Sequence, residues 1–300
     1  MATLIVDGNN LAKRVWKGTP MLTTSSGKHV STIFGVLRAL RSGVVRFKPS
    51  EVLVTWDDHP KARLAIFPEY KKKRKEKRKE FTPEEEEEYR QHNEQVKELF
   101  NIIAMLGVHQ YKGKNIEADD IIALLAKESS DKAIILSEDK DFLQLVSEKV
   151  HVYRPMADKY YTVDNFEEHT GVATPEMYLH VRFITGDSSD EIPGVPGFKE
   201  TRALPLIQKH GDIRKVMAAA KLEKGKLMQT LASSTKTIAR NILLMDLRYS
   251  VDFMYDELYN IRYEGSFDER EFRATLIKYE FYSFLRNMRE FMLPFKNLVR

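Results

Sequence analysis

The chain has 300 residues, 42% of them hydrophobic, and a formal net charge of +4 with a pI near 8.9, enough for one large core or for a core with a smaller appended unit. It contains no cysteine, which excludes a disulfide framework, thiolate-bound zinc or iron–sulfur and a cysteine nucleophile, and makes a reducing cytoplasm (a bacterium's own, or a host's if the gene is a phage's) the default compartment. No apolar run is long enough for a membrane span, and the opening MATLIVDGNN is not an export signal, so no membrane partner is expected.

Residues 3–7 (TLIVD) read as a buried strand, short, apolar and ended by a turn residue. Residues 32–46 place Ile33, Val36, Leu37, Leu40 and Val44 at helical spacing. Residues 51–57 (EVLVTWD) are a second strand. Residues 94–106 form an amphipathic helix with Val96, Leu99, Phe100, Ile103 and Leu106 on one face. A short strand at 108–111, a helix at 118–127, a strand at 132–137 and a short helix near 141–147 follow. This alternation predicts an α/β fold with a parallel sheet. From Thr174 and Pro175, an N-cap followed by proline at the first helical position, the pattern turns helical, with GVPG at 194–197 its clearest break. The expected organisation is a core over 1–174, a helical unit over 175–245, and a helical C-terminal segment over 246–300 packed on the core.

The acidic residues gather after apolar runs. Asp7 and Asp57 end strands, Glu117, Asp119 and Asp120 open a helix, Asp139 and Asp141 follow the strand at 132–137, and Asp187 and Asp190 lie in the loop GDSSDEIPG. In a parallel sheet the strand C-termini share one edge, where ligands bind. Taken singly, each acid is as readily a cap or turn former, and Asp58 is expected to point away from the ligand. Together, so many like charges raise one another's pKa unless a cation separates them, and an all-oxygen set favours Mg²⁺ or Mn²⁺. Two such ions form the device for phosphodiester hydrolysis, one lowering the pKa of the attacking water and the other stabilising the leaving oxygen.

At these residues the chain resembles the flap endonuclease, or 5′–3′ exonuclease, family, which includes stand-alone bacteriophage enzymes and the N-terminal domain of bacterial DNA polymerase I. The matching segments are LIVDGNN at 4–10, WDDHPKARLAIFPEYKKKR at 56–74, IEADDIIA at 116–123, LSEDKDFLQLV at 136–146 and GDSSDEIPGVPGFKETRA at 186–203, so that the likeness covers roughly 3–245. It implies a PIN-like nuclease core, a helical arch at about 70–95 and a helix-three-turn-helix for duplex DNA. It also implies two Mg²⁺ ions, with Mn²⁺ able to substitute, surrounded by Asp7, Asp57, Glu117, Asp119, Asp139, Asp141, Asp187 and Asp190, with Asp120 close behind. Lys71 and Arg74 would stand at the arch base beside the scissile phosphate. The family usually continues Pro-Gly-val-x-Gly-ile-Gly-x-Lys-thr-Ala. Here Lys199 replaces the second glycine of the Gly-Ile-Gly step, and Thr201 with Arg202 stands where the lysine is usual. That loop holds a monovalent cation and a duplex phosphate in the family, and Lys199 leaves open whether K⁺ sits there or the ammonium replaces it. With no polymerase sequence after residue 300, a stand-alone nuclease of phage or bacterial type is expected.

Residues 71–79 (KKKRKEKRK) carry eight basic positions in nine, and 84–88 are five glutamates. A solvated tail is the plain reading of such a run. Its place inside the α/β region favours an arch in which Lys71, Lys72, Lys73, Arg74, Lys75, Lys77 and Arg78 attract the phosphate backbone. The glutamates would pair with those lysines or repel duplex. Phe67, Tyr70, Phe81 and Tyr89 are candidates for stacking on bases. Gly194, Gly197, Lys199, Thr201 and Arg202 would contact duplex through backbone amides and charge, without base readout. The expected function is a structure-selective, metal-dependent 5′ nuclease leaving 5′-phosphates, acting as a monomer on DNA with 5′ flaps or ends and on RNA–DNA hybrids. The rivals are a nuclease acting chiefly on RNA primers, a non-catalytic DNA-binding module, which would have lost acidic ligands, and a metal phosphatase, which would need no basic run.

Overall fold

The computed structural model describes residues 1–249 and 260–298. The side chain of Lys75, expected on DNA, lies outside the described residues, as do 250–259 and 299–300 of the expected C-terminal segment.

The chain opens on strand β1 (Ala2–Asp7), helices α1 (Gly8–Gly18) and α2 (Ser31–Phe47), and strand β2 (Glu51–Thr55). Helices α3 (Lys61–Ile66), α4 (Lys72–Lys79) and α5 (Pro83–Ala104) follow, then β3 (His109–Tyr111), α6 (Ala118–Glu128) and β4 (Lys132–Leu136). A 3₁₀ turn over Lys140–Leu145 leads into β5 (Val150–Arg154), β6 (Lys159–Tyr161) and α7 (Phe166–Thr170). Next come α8 (Pro175–Thr185), the hairpin β7 (Gly186–Asp187) and β8 (Ile192–Pro193), and helices α9 (Glu200–His210), α10 (Ile213–Leu222), α11 (Lys226–Ser233) and α12 (Thr235–Met245). Strand β9 (Arg262–Tyr263) and helices α13 (Glu269–Lys278), α14 (Tyr282–Arg286) and α15 (Met288–Lys296) complete the described chain.

The main sheet runs β6-β5-β4-β1-β2-β3-β9. Its inner five strands are parallel, as the alternation of elements predicts, and both edge strands are antiparallel. The period-two side-chain rule explains why the inner strands read as unbroken apolar runs. Leu4 and Val6 of β1 enter a core shared with α1, α2, α5 and the C-terminal helices, while Ile5 enters the opposite core with α6 and α7. Strands β5, β6 and β9 were not expected. The segment after 246 is therefore not wholly helical, since β9 returns to pair Arg262 with Tyr111 of β3.

Helix α5 begins at Pro83 rather than near 94, and the reason is local. Thr82 caps it with a reciprocal capping box to Glu85, proline takes the first position, and Glu84, Glu85 and Glu86 sit in the first turn where the helix dipole favours anions. These turns have no apolar stripe because they leave the core, so periodicity could not report them. Thr174 caps α8 through Met177 N–H, as its position before Pro175 suggests. Helices α8 to α12 bury Leu179, Ile184, Ile207, Val216 and Leu231 in a third core of their own. No helix among the described residues is long and apolar enough to cross a membrane.

Two glycines seat the β7–β8 hairpin against the end of α8. Gly186 has φ +71 and ψ −168, a conformation almost confined to glycine, and a Cβ there would lie 2.2 Å from Ile192 O. At Gly194 a Cβ would lie 2.1 Å from Thr185 O. Gly186→Ala is expected to lower stability by at least about 2 kcal/mol, read from the urea midpoint. An unchanged midpoint would show that the hairpin seat has slack.

Candidate active site

The strands deliver acids to one edge of the sheet. Asp7 pairs in register with Thr55, so Asp57 follows two residues beyond on the neighbouring strand. Asp7 is also the N-cap of α1, where its Oδ1 accepts Asn10 N–H at 3.0 Å and its Oδ2 accepts the Ser137 hydroxyl at 2.9 Å. Asp57 accepts Ala118 N–H at 2.8 Å, which ties it to the start of α6 and so to Asp119. Asp139 caps the 3₁₀ turn by accepting Asp141 N–H at 2.9 Å. The bland capping roles and the shared rim thus coexist in the same residues. Asp58 accepts Asn115 N–H instead.

The nine carboxylates divide into two groups. Five are held by cations. Arg63 binds Asp120 in a two-pronged pair at 2.7 Å on each prong and also Glu117 at 2.7 Å, while its Nε donates to Leu244 O. Lys71 Nζ reaches Glu117 at 2.7 Å and Asp190 at 3.4 Å, and Arg74 reaches Asp190 at 2.7 Å. Arg182 bridges Asp141, at 2.5 Å, and Asp187. Asp141 thus leaves the bare group, which consists of Asp7, Asp57, Asp119 and Asp139; none of these four has an ion-pair partner among the described residues. Asp120 is committed to Arg63, whose Nη1 it shares with Glu117.

Electrostatics follow this division. Burial, then the charges of Asp57 and Asp139, push the Asp7 carboxyl up to about 7 against the hydrogen bonds from Asn10 and Ser137. Burial and Asp139, Asp57 and Asp7 hold Asp119 well above the usual carboxylate range. Asp57 is open to solvent on one side, but the concave rim surrounds it with protein and raises it as well. Asp141 is also pushed up to about 7, by burial, with Arg182 working against that and Asp139 and Asp187 adding to it. Lys71 loses solvation by burial, yet Tyr70, Asp190 and Glu117 keep it firmly protonated. Among the described residues no three acids or imidazoles converge on one metal-binding point. The donor chemistry, four carboxylates without an ion-pair partner on one rim, with Asp7, Asp57 and Asp119 raised, fits a hard divalent cation.

The arch stands over this rim. α4 carries Lys72, Lys73, Arg74, Lys77 and Arg78. Glutamates 84–88 do not pair with those lysines in the described contacts; Glu87 binds Arg90, which also binds Glu94. Of the expected aromatics, Tyr70 is buried and donates to Asp190 at 2.9 Å, and Phe67 lies under Arg240, 4.7 Å from the ring centroid. Phe81 and Tyr89 remain at the arch, edge to face at 5.9 Å, with Arg78 over Tyr89. The sequence reading missed the wall opposite. α1 turns Lys13 and Trp16 toward the arch, with Trp16 stacked 4.4 Å from His92 and 6.0 Å from Tyr89. Lys13 is lowered by burial and then by Arg74 and other like charges, a sign of concentrated positive potential. Arg63 and Arg182 were missed too. The signal was a basic residue near each acidic motif, which composition cannot separate from ordinary surface charge.

In the hairpin region Gly194 is enclosed against α8. Gly197 (φ +84), Lys199, Thr201 and Arg202 are exposed, and Lys199 occupies the N-cap of α9.

The raised Asp7 carboxyl has a measurable consequence. Its folded pKa lies at about 7 against an ordinary aspartate value of 3.8. The folded state therefore holds this proton more tightly, a stabilisation complete below the unfolded value and lost as pH rises through the folded one. In metal-free protein the advantage of Asp7→Asn over wild type should grow by at least about 1 kcal/mol between about pH 4 and pH 8, measured by urea unfolding. A difference flat across that range would mean Asp7 ionises normally.

Comparison with known proteins bears on these observations. A family model described as the 5′-3′ exonuclease N-terminal resolvase-like domain matches residues 2–171, and one described as the 5′-3′ exonuclease C-terminal SAM fold matches residues 173–266. The chain is 32% identical over 222 residues to a 5′-3′ exonuclease of Aquifex aeolicus, covering 72% of this chain and 73% of that protein. It is 31% identical over 234 residues to DNA polymerase I of Bacillus subtilis, covering 75% of this chain but only 25% of that protein. Its structure resembles a bacteriophage T5 flap endonuclease solved as a pseudo-enzyme–product complex with DNA and metal ions, with a TM-score of 0.76, 26% identity, and coverage of 87% of this chain and 95% of that one. With both family models end to end along the sheet core and the helices after it, the chain belongs to the 5′-3′ exonuclease family.

Proposed function

We propose that the chain is a divalent-metal-dependent 5′ nuclease that hydrolyses DNA at 5′ ends and flaps and leaves 5′-phosphates. The observation that carries this is the group of four carboxylates without an ion-pair partner beneath a cationic arch. Asp7, Asp57, Asp119 and Asp139 would hold one Mg²⁺ or Mn²⁺, and Asp141, Asp187 and Asp190 would contribute to a second. The ions supply Lewis-acid activation of water and of the leaving oxygen. The protein's own residues do the rest. Lys71 and Arg74, now shared with Glu117 and Asp190, are placed to exchange those carboxylates for a scissile phosphate. Lys72, Lys73, Lys77 and Arg78 on one wall and Lys13 on the other draw a single strand between them. Phe81, Tyr89 and Trp16 offer ring faces to unpaired bases. The unit over 175–245 takes duplex by phosphate contacts at Lys199 and at the start of α9, with no base readout.

A bound K⁺ in the hairpin fits less well. Arg202 Nη1 donates to Gly197 O at 2.7 Å, so this carbonyl already has a cation supplied by the chain. Lys199 then serves as a phosphate contact.

Cleavage of a labelled 5′ flap with and without Mg²⁺, as DNA and with an RNA 5′ segment, tests the reading. Cleavage should require Mg²⁺ or Mn²⁺, and Asp119→Asn should lower turnover by at least about 100-fold while leaving binding in Ca²⁺ intact or tighter. Metal-independent cleavage, or wild-type turnover in Asp119→Asn, would reject it. Changing Lys72, Lys73 and Lys77 together to Ala should reduce the slope of log affinity against log salt by roughly 2 to 3, equally for unrelated sequences. An unchanged slope would place the arch off the DNA path.

A further inference from the structure

A cavity of about 890 Å³ lies on the side of α1 away from the arch, between α1, α2, the ends of β4 and β5, and the C-terminal helices. It falls in the size range of small-molecule sites. Its wall is continuous with the catalytic rim. Asn10 and Ser137 line it and are the same residues that hydrogen-bond Asp7. Small side chains on α2 open the space. Gly35 and Gly43 are required by close packing on Val15 and Leu136, but Ala39 and Ser42 simply face the cavity.

Three arginines line it, Arg14, Arg38 and Arg41. Arg14 and Arg38 are exposed and have no ion-pair partner among the described residues. Arg41 lies over Phe291, 5.8 Å from the ring centroid, donates from Nη2 to Glu290 O at 3.3 Å and comes within 3.7 Å of the Glu290 carboxylate, while its Nε is buried without an acceptor. Of the two acids in its wall, Glu138 is paired with Arg154 at 3.2 Å and Glu290 lies 3.7 Å from Arg41. Arg38 and Arg41 are one helical turn apart on α2, so their guanidiniums can serve neighbouring anionic groups. The cavity therefore joins an apolar floor, which includes Phe284, to the exposed guanidiniums of Arg14 and Arg38 and the acceptor-free Nε of Arg41. That is the complement of an aromatic base carrying a phosphate.

We infer that this cavity is a second nucleotide site, taking a 5′-phosphorylated nucleotide that lies beyond Asp7 on the side opposite the arch. Its phosphate meets Arg14, Arg38 and Arg41, and its base lies on the floor between α2 and α14. The assignment rests on the nuclease reading. One ligand chemistry has two sources, an unpaired strand of the substrate or a released mononucleotide.

Calorimetric titration of the full chain in EDTA with 5′-phosphorylated trithymidylate and with thymidine 5′-monophosphate tests it. The variants are Arg14→Ala with Arg38→Ala, which removes charge at exposed positions, and Ala39→Trp, which fills the cavity and keeps the charges. Lys72→Ala with Lys73→Ala serves as the arch control. Each cavity variant should weaken binding at least about tenfold, and the arch control should lose less. Tighter binding of the trinucleotide assigns the site to the strand; equal binding assigns it to the mononucleotide. Wild-type affinity in both cavity variants, or loss confined to the arch control, overturns the inference. Flap cleavage by the same preparations separates the two readings. Inactive wild type refutes the nuclease, whereas active wild type with unaffected cavity variants refutes only the second site.

Discussion

Repulsion among acids brought to one sheet edge is the constraint on which the rest of this structure depends. Nine carboxylates from five sequence motifs meet around the ends of β1, β2, β4, α6 and the β7–β8 hairpin. A folded chain cannot leave all of them buried, charged and unpaired. It neutralises five with Arg63, Lys71, Arg74 and Arg182 and leaves Asp7, Asp57, Asp119 and Asp139 without an ion-pair partner among the described residues. The raised Asp7 and Asp119 carboxyls record that cost. On the nuclease reading an external divalent cation would relieve it and so link metal affinity to folding stability through the same four groups.

The neutralising cations also hold the molecule together. Arg63 sits on α3, its carboxylate partners start α6, and its Nε bond reaches the end of α12. One buried side chain therefore joins the sheet core, the approach to the arch and the helical unit. Arg182 does the same from α8, joining Asp141 after β4 to Asp187 in the hairpin. Gln144 adds a neutral link, with its amide donating to Met245 O and accepting Leu247 N–H. Buried ion pairs contribute little net stability when intact, but losing one partner strands the other at a cost of several kcal/mol. They therefore fix geometry more than they add stability.

Much of this was legible in the sequence, and the limits have physical causes. Strands β1, β2 and β4 were readable because burial on both faces forces continuous apolar runs, as in TLIV and KAIIL, whereas the parallel strand β5, VHVYR, was not, its run broken by His151. The acids were readable because they follow those runs. β6 and β9 were not, since three- and two-residue edge strands carry too few side chains to show a period. The polar start of α5 was written in its capping box, not in its hydrophobicity. Which acids stay bare was not readable at all. Asp119 and Asp120 are neighbours in sequence, yet the helical step turns one toward the rim and the other onto Arg63. That choice depends on where α3 packs, a tertiary fact. Trp16 gave no signal because nothing local says that α1 will face α5.

On the nuclease reading, the base of the arch would couple entry of a strand to docking of a duplex. Lys71 N–H donates to Asp190 O, Lys73 N–H donates to both oxygens of Glu191, and Tyr70 donates to Asp190. Lys71 and Glu191 both adopt positive φ, at 54° and 62°, which non-glycine residues sustain only when their surroundings over-determine them. The arch is therefore fastened at its root to the hairpin loop that leads into α9, and that loop is seated on α8 by Gly186 and Gly194. A duplex held at the start of α9 fixes the position of this root. On the nuclease reading, the distance from the duplex contact to the carboxylate rim is then set by short packed segments with strained, fully hydrogen-bonded backbone. A strand can reach the rim only at a set number of nucleotides from the end of the duplex, which is selection by junction shape with no base contact required.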